Sequence, residues 1–234
     1  MNIPKIIHQT WDSPKGKEIP IRLQILSDTF REKNPQWEYH LWGREEMRQL
    51  VKDHYPEFLP VYDGFKENIL RWDSIRYMIL HHCGGMYVDF DIECLKPLDN
   101  LFSNDYQMYI GEEPSNKSTY PWLRNVLGNG FMASVPGCQG WVEILKEVEK
   151  SVDIYTNGRV VFDITGSGML TRTFDKLVPY GAYAIPYELV SPIRKFDSFR
   201  YIYHKYTREF EQRIKDAYCI HYFLGTWDEE LGLY

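Results

Sequence analysis

The chain has 234 residues, 44% hydrophobic and 26% charged, an ordinary balance for a globular protein long enough to bury a sizeable core. A net charge of −6 and a pI near 5.7 exclude a general nucleic-acid binder, which would need a basic face. MNIPKIIHQTW carries no apolar h-region and no run of about 18 apolar residues follows, so neither signal peptide nor spanning helix is expected; the expectation is a cytoplasmic protein with any membrane contact peripheral.

Lys5 to Thr10 reads as a buried strand running into Trp11 and a Pro/Gly loop, Asp12 to Pro20, before a helix expected over Ile21 to Lys33. Trp37 to Trp42 alternates as a second strand, and Glu45 to His54 is helical. A longer helix, about Glu67 to Cys83, carries Ile69, Leu70, Trp72, Ile75, Ile79 and Leu80 on an apolar face, interrupted by Asp73 and Arg76 on one side. That pair is either a surface ion pair worth about 0.2–1 kcal/mol or a polar site that meets a hydroxyl or a phosphate. Its place one helix before paired aspartates favours the second.

Gly84 and Gly85 stop this helix, and Met86 to Phe90 is expected as a short buried strand leading into Asp89-Phe90-Asp91. In an extended strand Asp89 and Asp91 share one face while Val88 and Phe90 face a core. Two hard carboxylates at one spot suit Mn²⁺ or Mg²⁺, ions that one or two carboxylates hold while substrate phosphates complete the shell. A diphosphate is the expected cargo.

Further strands are expected near Tyr106 to Gly111, Gly130 to Val135, Tyr183 to Pro186 and Tyr218 to Phe223, with helices near Gln139 to Ser151, Ser167 to Lys176 and Thr207 to Asp216. The alternation predicts one α/β domain over residues 1–234, with a mostly parallel sheet flanked by helices. In such sheets ligands sit beyond the carboxyl ends of strands. Trp11, Asp89, Asp91 and His221 fall there, with Trp227 just beyond. On the residues alone Trp11 reads first as packing and only second as binding, and His221 equally as a satisfied core histidine or a third ligand favouring Mn²⁺. Gly128-Asn129-Gly130 marks a close backbone approach or a hairpin turn, and Thr165-Gly166-Ser167-Gly168 the opening of a helix that could meet an anion.

Cys83, Cys94, Cys138 and Cys219 show no zinc-like spacing and read as reduced thiols. Aromatic residues, 16% of the chain, suit sugar rings, nucleobases or a membrane interface. Pro192 to Lys215 sets seven basic against three acidic residues among aromatics, which reads as a peripheral contact with an anionic membrane or as a solvated helix beside a packed loop.

Four separated segments, IPKIIHQTW, RWDSIRYMILHHCGGMYVDFD, Asn129 with TGSGMLT, and HYFLGTW, resemble in order the DXD-containing sugar transferases of glycosyltransferase family 32. The resemblance implies a single GT-A (Rossmann-like) domain that uses Mn²⁺ or Mg²⁺ and a nucleotide-sugar, a UDP-hexose ahead of GDP-mannose, and transfers galactose, glucose or mannose with retention at the anomeric carbon. By the same resemblance Trp11 stacks on the base, Asp73 and Arg76 contact ribose, sugar or phosphate, and Asp89 and Asp91 hold nucleotide and metal. Asn129 meets the donor sugar, while His221 and Trp227 close over the diphosphate. Arg76, Asp89, Asp91 and Asn129 are thus the catalytic candidates, and Asp89, Asp91 and His221 the metal candidates. The family commonly shows Thr-Gly-Pro where Thr165-Gly166-Ser167 stands here.

YDGFKENILRWDSIRYMILHHCGGMYVDFD is most similar to the branch that includes inositol phosphoceramide mannosyltransferases, which implies a lipid acceptor of ceramide type, with a capsular or polyprenyl-linked glycan as the alternative. The compact form implies a bacterial enzyme, peripheral on the inner face of the cytoplasmic membrane; no protein partner is evident. Two other classes stay open: a nucleotide-sugar hydrolase, which would release free sugar equally with or without acceptor, and a non-catalytic sugar-binding protein, for which the two aspartates would serve no purpose.

Overall fold

Ile6–Thr10, in which Ile7, His8 and Gln9 are buried, forms strand β1. The computed structural model describes residues 2–12, 18–114, 125–154, 160–195, 197–198 and 207–225. After β1, helix α1 (Ile21–Lys33) buries Leu23 and Phe30 at spacings of one helical face, and strand β2 (Glu38–Trp42) returns parallel to β1. Helix α2 (Arg44–His54) and the short helix α3 (Leu59–Gly64) lead to α4 (Asn68–Cys83), whose residues Ile75 and Tyr77 to Leu80 are wholly buried. Gly84 ends α4 with φ +67°, a left-handed conformation that glycine adopts without steric cost, and the chain reverses into β3 (Gly85–Val88), parallel to β1.

The rest of the chain adds β4 (Ile92–Cys94), β5 (Met108–Pro114), β6 (Asn125–Ser134), α5 (Gln139–Ile154), α6 (Val160–Ile164), α7 (Ser167–Leu177), β7 (Ala182–Ile185), α8 (Tyr187–Val190), α9 (Arg208–Ile214) and β8 (Cys219–His221). Six strands form one sheet in the order β2-β1-β3-β6-β5-β7. Its pairs are parallel except β3 with β6 and β6 with β5. The expected α/β architecture with a mostly parallel sheet is therefore present. One apolar layer joins α4, α5 and α7 to the sheet, with Trp141 stacked on Tyr77 at 5.8 Å. On the opposite side a second layer packs Phe30 of α1 and Ile92 and Cys94 of β4 against Ile7, Met86 and Val88.

Two local expectations need correction, and one open alternative is decided. The strand expected to run to Phe90 stops at Val88, and Asp89 to Asp91 form a turn closed by Ile92 N–H donating to the Asp89 carbonyl at 3.3 Å. Asn129-Gly130 is not a hairpin turn: it lies inside β6, where the Gly130 carbonyl accepts from Asp89 N–H at 2.8 Å. The last strand pairs antiparallel with β4 in a separate two-stranded sheet instead of extending the main one. In each case backbone partners far along the chain take part, for the turn the Gly130 carbonyl on Asp89 N–H and Tyr222 N–H on the Asp91 carbonyl.

The proposed membrane-contact stretch lies in part outside the described residues, at 196 and 199–206. Where it is described, α9 is capped by the Thr207 hydroxyl and seats Phe210 against Ile193, Ile220 and Tyr222. No helix among the described residues is long and apolar enough to cross a membrane.

Candidate active site

β1 connects onward to β2 on one side, while β3 lies parallel on its other side, so the order in which strands join the sheet reverses between β1 and β3. The carboxyl ends of adjacent strands at such a reversal leave a crevice. Here a cleft of about 820 Å³ opens, within the size range of ligand sites. Seven of the eight sequence candidates line it: Trp11, Asp73, Arg76, Asp89, Asp91, Asn129 and His221. Trp227 lies outside the described residues.

Arg76 organises one wall. From the buried middle of α4 its guanidinium reaches Asp73 at 3.2 Å and Asp89 at 3.1 Å, and it donates to the Asn129 carbonyl at 3.2 Å. Burial opposes its charge, but Asp89, Tyr87 and Asp73 outweigh that cost and hold the guanidinium protonated. Asp73 is itself 3% exposed; its second oxygen accepts from the Thr165 hydroxyl at 2.9 Å, so both oxygens are engaged within the protein. Burial pushes its pKa upward against the pull of Arg76. Asn129 contributes its backbone carbonyl to Arg76 and lines the cleft, with its side-chain amide nitrogen buried.

Asp89 follows β3 directly. Its Oδ1 accepts from the Tyr87 hydroxyl at 2.8 Å, and that hydroxyl lies 3.1 Å from Thr10 Oγ1. Tyr87 went unnoticed in the sequence, although it stands two residues before Asp89 and the strand expected over Met86 to Phe90 would put both on one face. Asp91 is held from the far end of the chain: Leu224 N–H donates to its carboxylate at 2.8 Å, and Tyr222 N–H to its carbonyl at 2.9 Å. Phe223 takes φ +52°, a strained conformation for a bulky residue, and stacks on His221 with ring centroids 3.8 Å apart.

His221 stands between two carboxylates. Nε2 is 3.3 Å from Asp91 and Nδ1 is 3.7 Å from Glu113. Burial alone would lower its pKa, but Asp91 and Glu113 overcome it and raise the value to about 9. The same imidazole holds Asp91 below the usual carboxylate range despite burial, whereas burial pushes Asp89 and Glu113 up. Glu113, in the sequence GEEP at the end of β5, was missed because nothing in its spacing marks it.

The remaining candidates frame the cleft mouth. The Trp11 backbone N–H donates to the Trp42 carbonyl at 3.0 Å, and its ring meets Phe90 edge-on at 5.5 Å. Gly166 caps the N-terminus of α7 as its sequence suggested, and it lines the cleft with Ser167.

Residues 20–108 match the family model described as the glycosyltransferase sugar-binding region containing a DXD motif. The chain is 36% identical over 158 residues to inositol phosphoceramide mannosyltransferase 2 of Schizosaccharomyces pombe, covering 65% of this chain and 40% of that protein. It is 44% identical over 136 residues to inositol phosphoceramide mannosyltransferase 3 of the same yeast, covering 58% and 33%. The chain thus spans about a third to two fifths of the length of these curated relatives. Among solved structures, PaToxG glycosyltransferase superposes with a TM-score of 0.57 at 13% identity, covering 91% of this chain and 79% of that one. The fold is the GT-A fold.

The relatives' names overturn one expectation. They specify mannose, so the ranking of a UDP-hexose ahead of GDP-mannose is corrected. Paired carboxylates can meet a diphosphate only through a shared cation, and a Trp ring accepts the π-face of any base, so neither feature distinguishes uracil from guanine.

Proposed function

We propose that this cleft performs metal-dependent glycosyl transfer, moving mannose from GDP-mannose to a hydroxyl of a ceramide-type lipid. The observation that carries the reading is the placement of Asp89 and Asp91 beside Arg76 and His221 at the sheet reversal, within and beside the segment that matches the DXD sugar-binding region. The similarity to inositol phosphoceramide mannosyltransferases supports the donor sugar and the acceptor class. Retention at the anomeric carbon rests on the family 32 resemblance.

The donor set fits a divalent cation. Asp73, Asp89, Asp91 and Glu113 face Arg76 and His221, so carboxylates exceed cations in this array, and hard oxygens, joined by one imidazole once an ion displaces its Nε2 proton, suit Mn²⁺ or Mg²⁺. Among the described residues no three His, Cys, Asp or Glu side chains form a preassembled ligand set. Asp91 with Asp89 or His221 would therefore hold the ion, and diphosphate oxygens would complete its shell. When bound, the ion supplies Lewis-acid neutralisation of the departing diphosphate.

The protein's own groups do the rest. Arg76, locked by Asp73 and Asp89, supplies a fixed positive charge that needs no reorganisation as negative charge develops on the leaving group. Trp11 presents a ring for the base, and Asn129 a side chain for the donor sugar.

The test offers the purified chain labelled GDP-mannose or UDP-hexoses with a ceramide-type acceptor, with and without EDTA. Mannosylated lipid is expected from GDP-mannose, lost with EDTA and restored by Mn²⁺. Product formed from a UDP-hexose alone, or free mannose released at one rate regardless of acceptor, would overturn the reading.

A further inference from the structure

Glu113 belongs to none of the motifs in the sequence, yet several features of the fold converge on its carboxylate. The register between β5 and β6 shifts between Ile110 and Glu112, where the extra residues lie on β6 and Gly128 to Phe131 pass the single residue Gly111. Opposite, Gly128 supplies the missing volume: a Cβ there would collide with the Glu113 carboxylate. The side chain is three-quarters buried, and its Oε1 lies 3.7 Å from His221 Nδ1, while the other ring nitrogen faces Asp91 at 3.3 Å. Phe223 covers one face of the same ring.

We propose that Glu113 is a positioning residue that holds the Nδ1 edge of His221, so that Nε2 is presented beside Asp91 to a divalent cation. This rests on the reading of the cleft as a metal site. An imidazole that binds a metal through one nitrogen needs its other N–H oriented, and a carboxylate there fixes both the tautomer and the ring plane. Ring stacking fixes the plane but admits two orientations related by a half-turn about Cβ–Cγ, and an acceptor at the Nδ1 edge selects one of them. A bulge and a glycine that together admit a desolvated carboxylate, at a cost in strand pairing, are explained by such a task.

Mn²⁺ binding to the chain, read by electron paramagnetic resonance with GDP present to supply the diphosphate oxygens and with neither sugar donor nor acceptor, tests this with a double-mutant cycle. Glu113→Gln, close in size, is expected to weaken Mn²⁺ by about 10–100-fold. Gly128→Ala, which displaces the carboxylate without removing it, is expected to do the same. His221→Ala should weaken binding at least as much, and Glu113→Gln in the His221→Ala background should add nothing further. Circular dichroism checks that each variant is folded. Unchanged affinity in both Glu113→Gln and Gly128→Ala would overturn the inference. So would a loss that persists without His221, which would make Glu113 a direct ligand or a bare charge. Unchanged affinity in His221→Ala would also overturn the inference, by removing His221 from the ion's shell, whereas no Mn²⁺ binding by the parent chain would overturn the metal reading beneath it.

Discussion

At the scale of the residue, the cleft depends on side chains that are absent as much as on those present. A Cβ on Gly130 would lie 2.8 Å from Asp89 Oδ2, so only glycine lets the Asp89 carboxylate sit against β6 while Arg76 and Tyr87 hold its other oxygen. Gly130→Ala is therefore expected to rotate Asp89 out of place and lower kcat/KM by about 100-fold, the scale of a 1 Å displacement at a reacting centre. Stability should change by less than about 1 kcal/mol, since the obstacle is the end of a movable side chain. Steady-state kinetics with urea unfolding separate the two effects; a variant with normal kcat/KM would show that Asp89 tolerates the shift. The glycines of GNG were visible in the sequence, but their purpose was not. Whether a glycine serves a turn or a close approach depends on what lies opposite, and Asp89 and Glu113 reach β6 from other strands.

At the scale of the element, α4 carries the cation to the cleft and is anchored by polar contacts to the segment before α7. The Tyr77 hydroxyl donates to the Thr165 carbonyl at 2.5 Å, and the Thr165 hydroxyl donates to Asp73 at 2.9 Å, all fully or nearly buried. Thr165→Val keeps the shape and removes the donor to a buried carboxylate, which should cost about 1–3 kcal/mol. Urea unfolding checks this, and an unchanged midpoint would mean that Asp73 does not need the bond. The amphipathic pattern of α4 was legible because one helix face repeats locally. The ion pair Asp73–Arg76 was legible as a pair three residues apart, but its burial was not, because that follows from Thr165 and Asp89 arriving from distant elements.

At the scale of the whole molecule, His8 couples the sheet to pH. It sits on β1 with its Nε2–H donating to the Gly84 carbonyl at 3.0 Å and its Nδ1 accepting from Trp42 Nε1–H at 3.1 Å, an arrangement that requires the neutral ring. Burial lowers its pKa from 6.5 to about 4, against the raising effect of the Gly84 bond. The unfolded chain binds the proton first, so this contribution is complete above pH 6.5 and declines as the pH falls towards and through 4. Between pH 8 and pH 5 the loss should be about 2 kcal/mol. His8→Gln should flatten this part of the acid limb in urea unfolding at the two pH values; an identical slope in parent and variant would exclude His8 as its source.

From residues alone the α/β class, most helices and strands, and seven cleft-lining candidates could be determined, because apolar periodicity, glycine stops and an Asp-x-Asp triplet are local features of the chain. Tertiary structure alone decided the turn at Asp89 to Asp91, the separate pairing of β8 with β4, the burial of Asp73 and the arrival of Glu113 beside His221. The reason is physical. A local pattern states which face a side chain takes, whereas a buried carboxylate, an off-register strand or a strained backbone is stable only through partners supplied by distant segments.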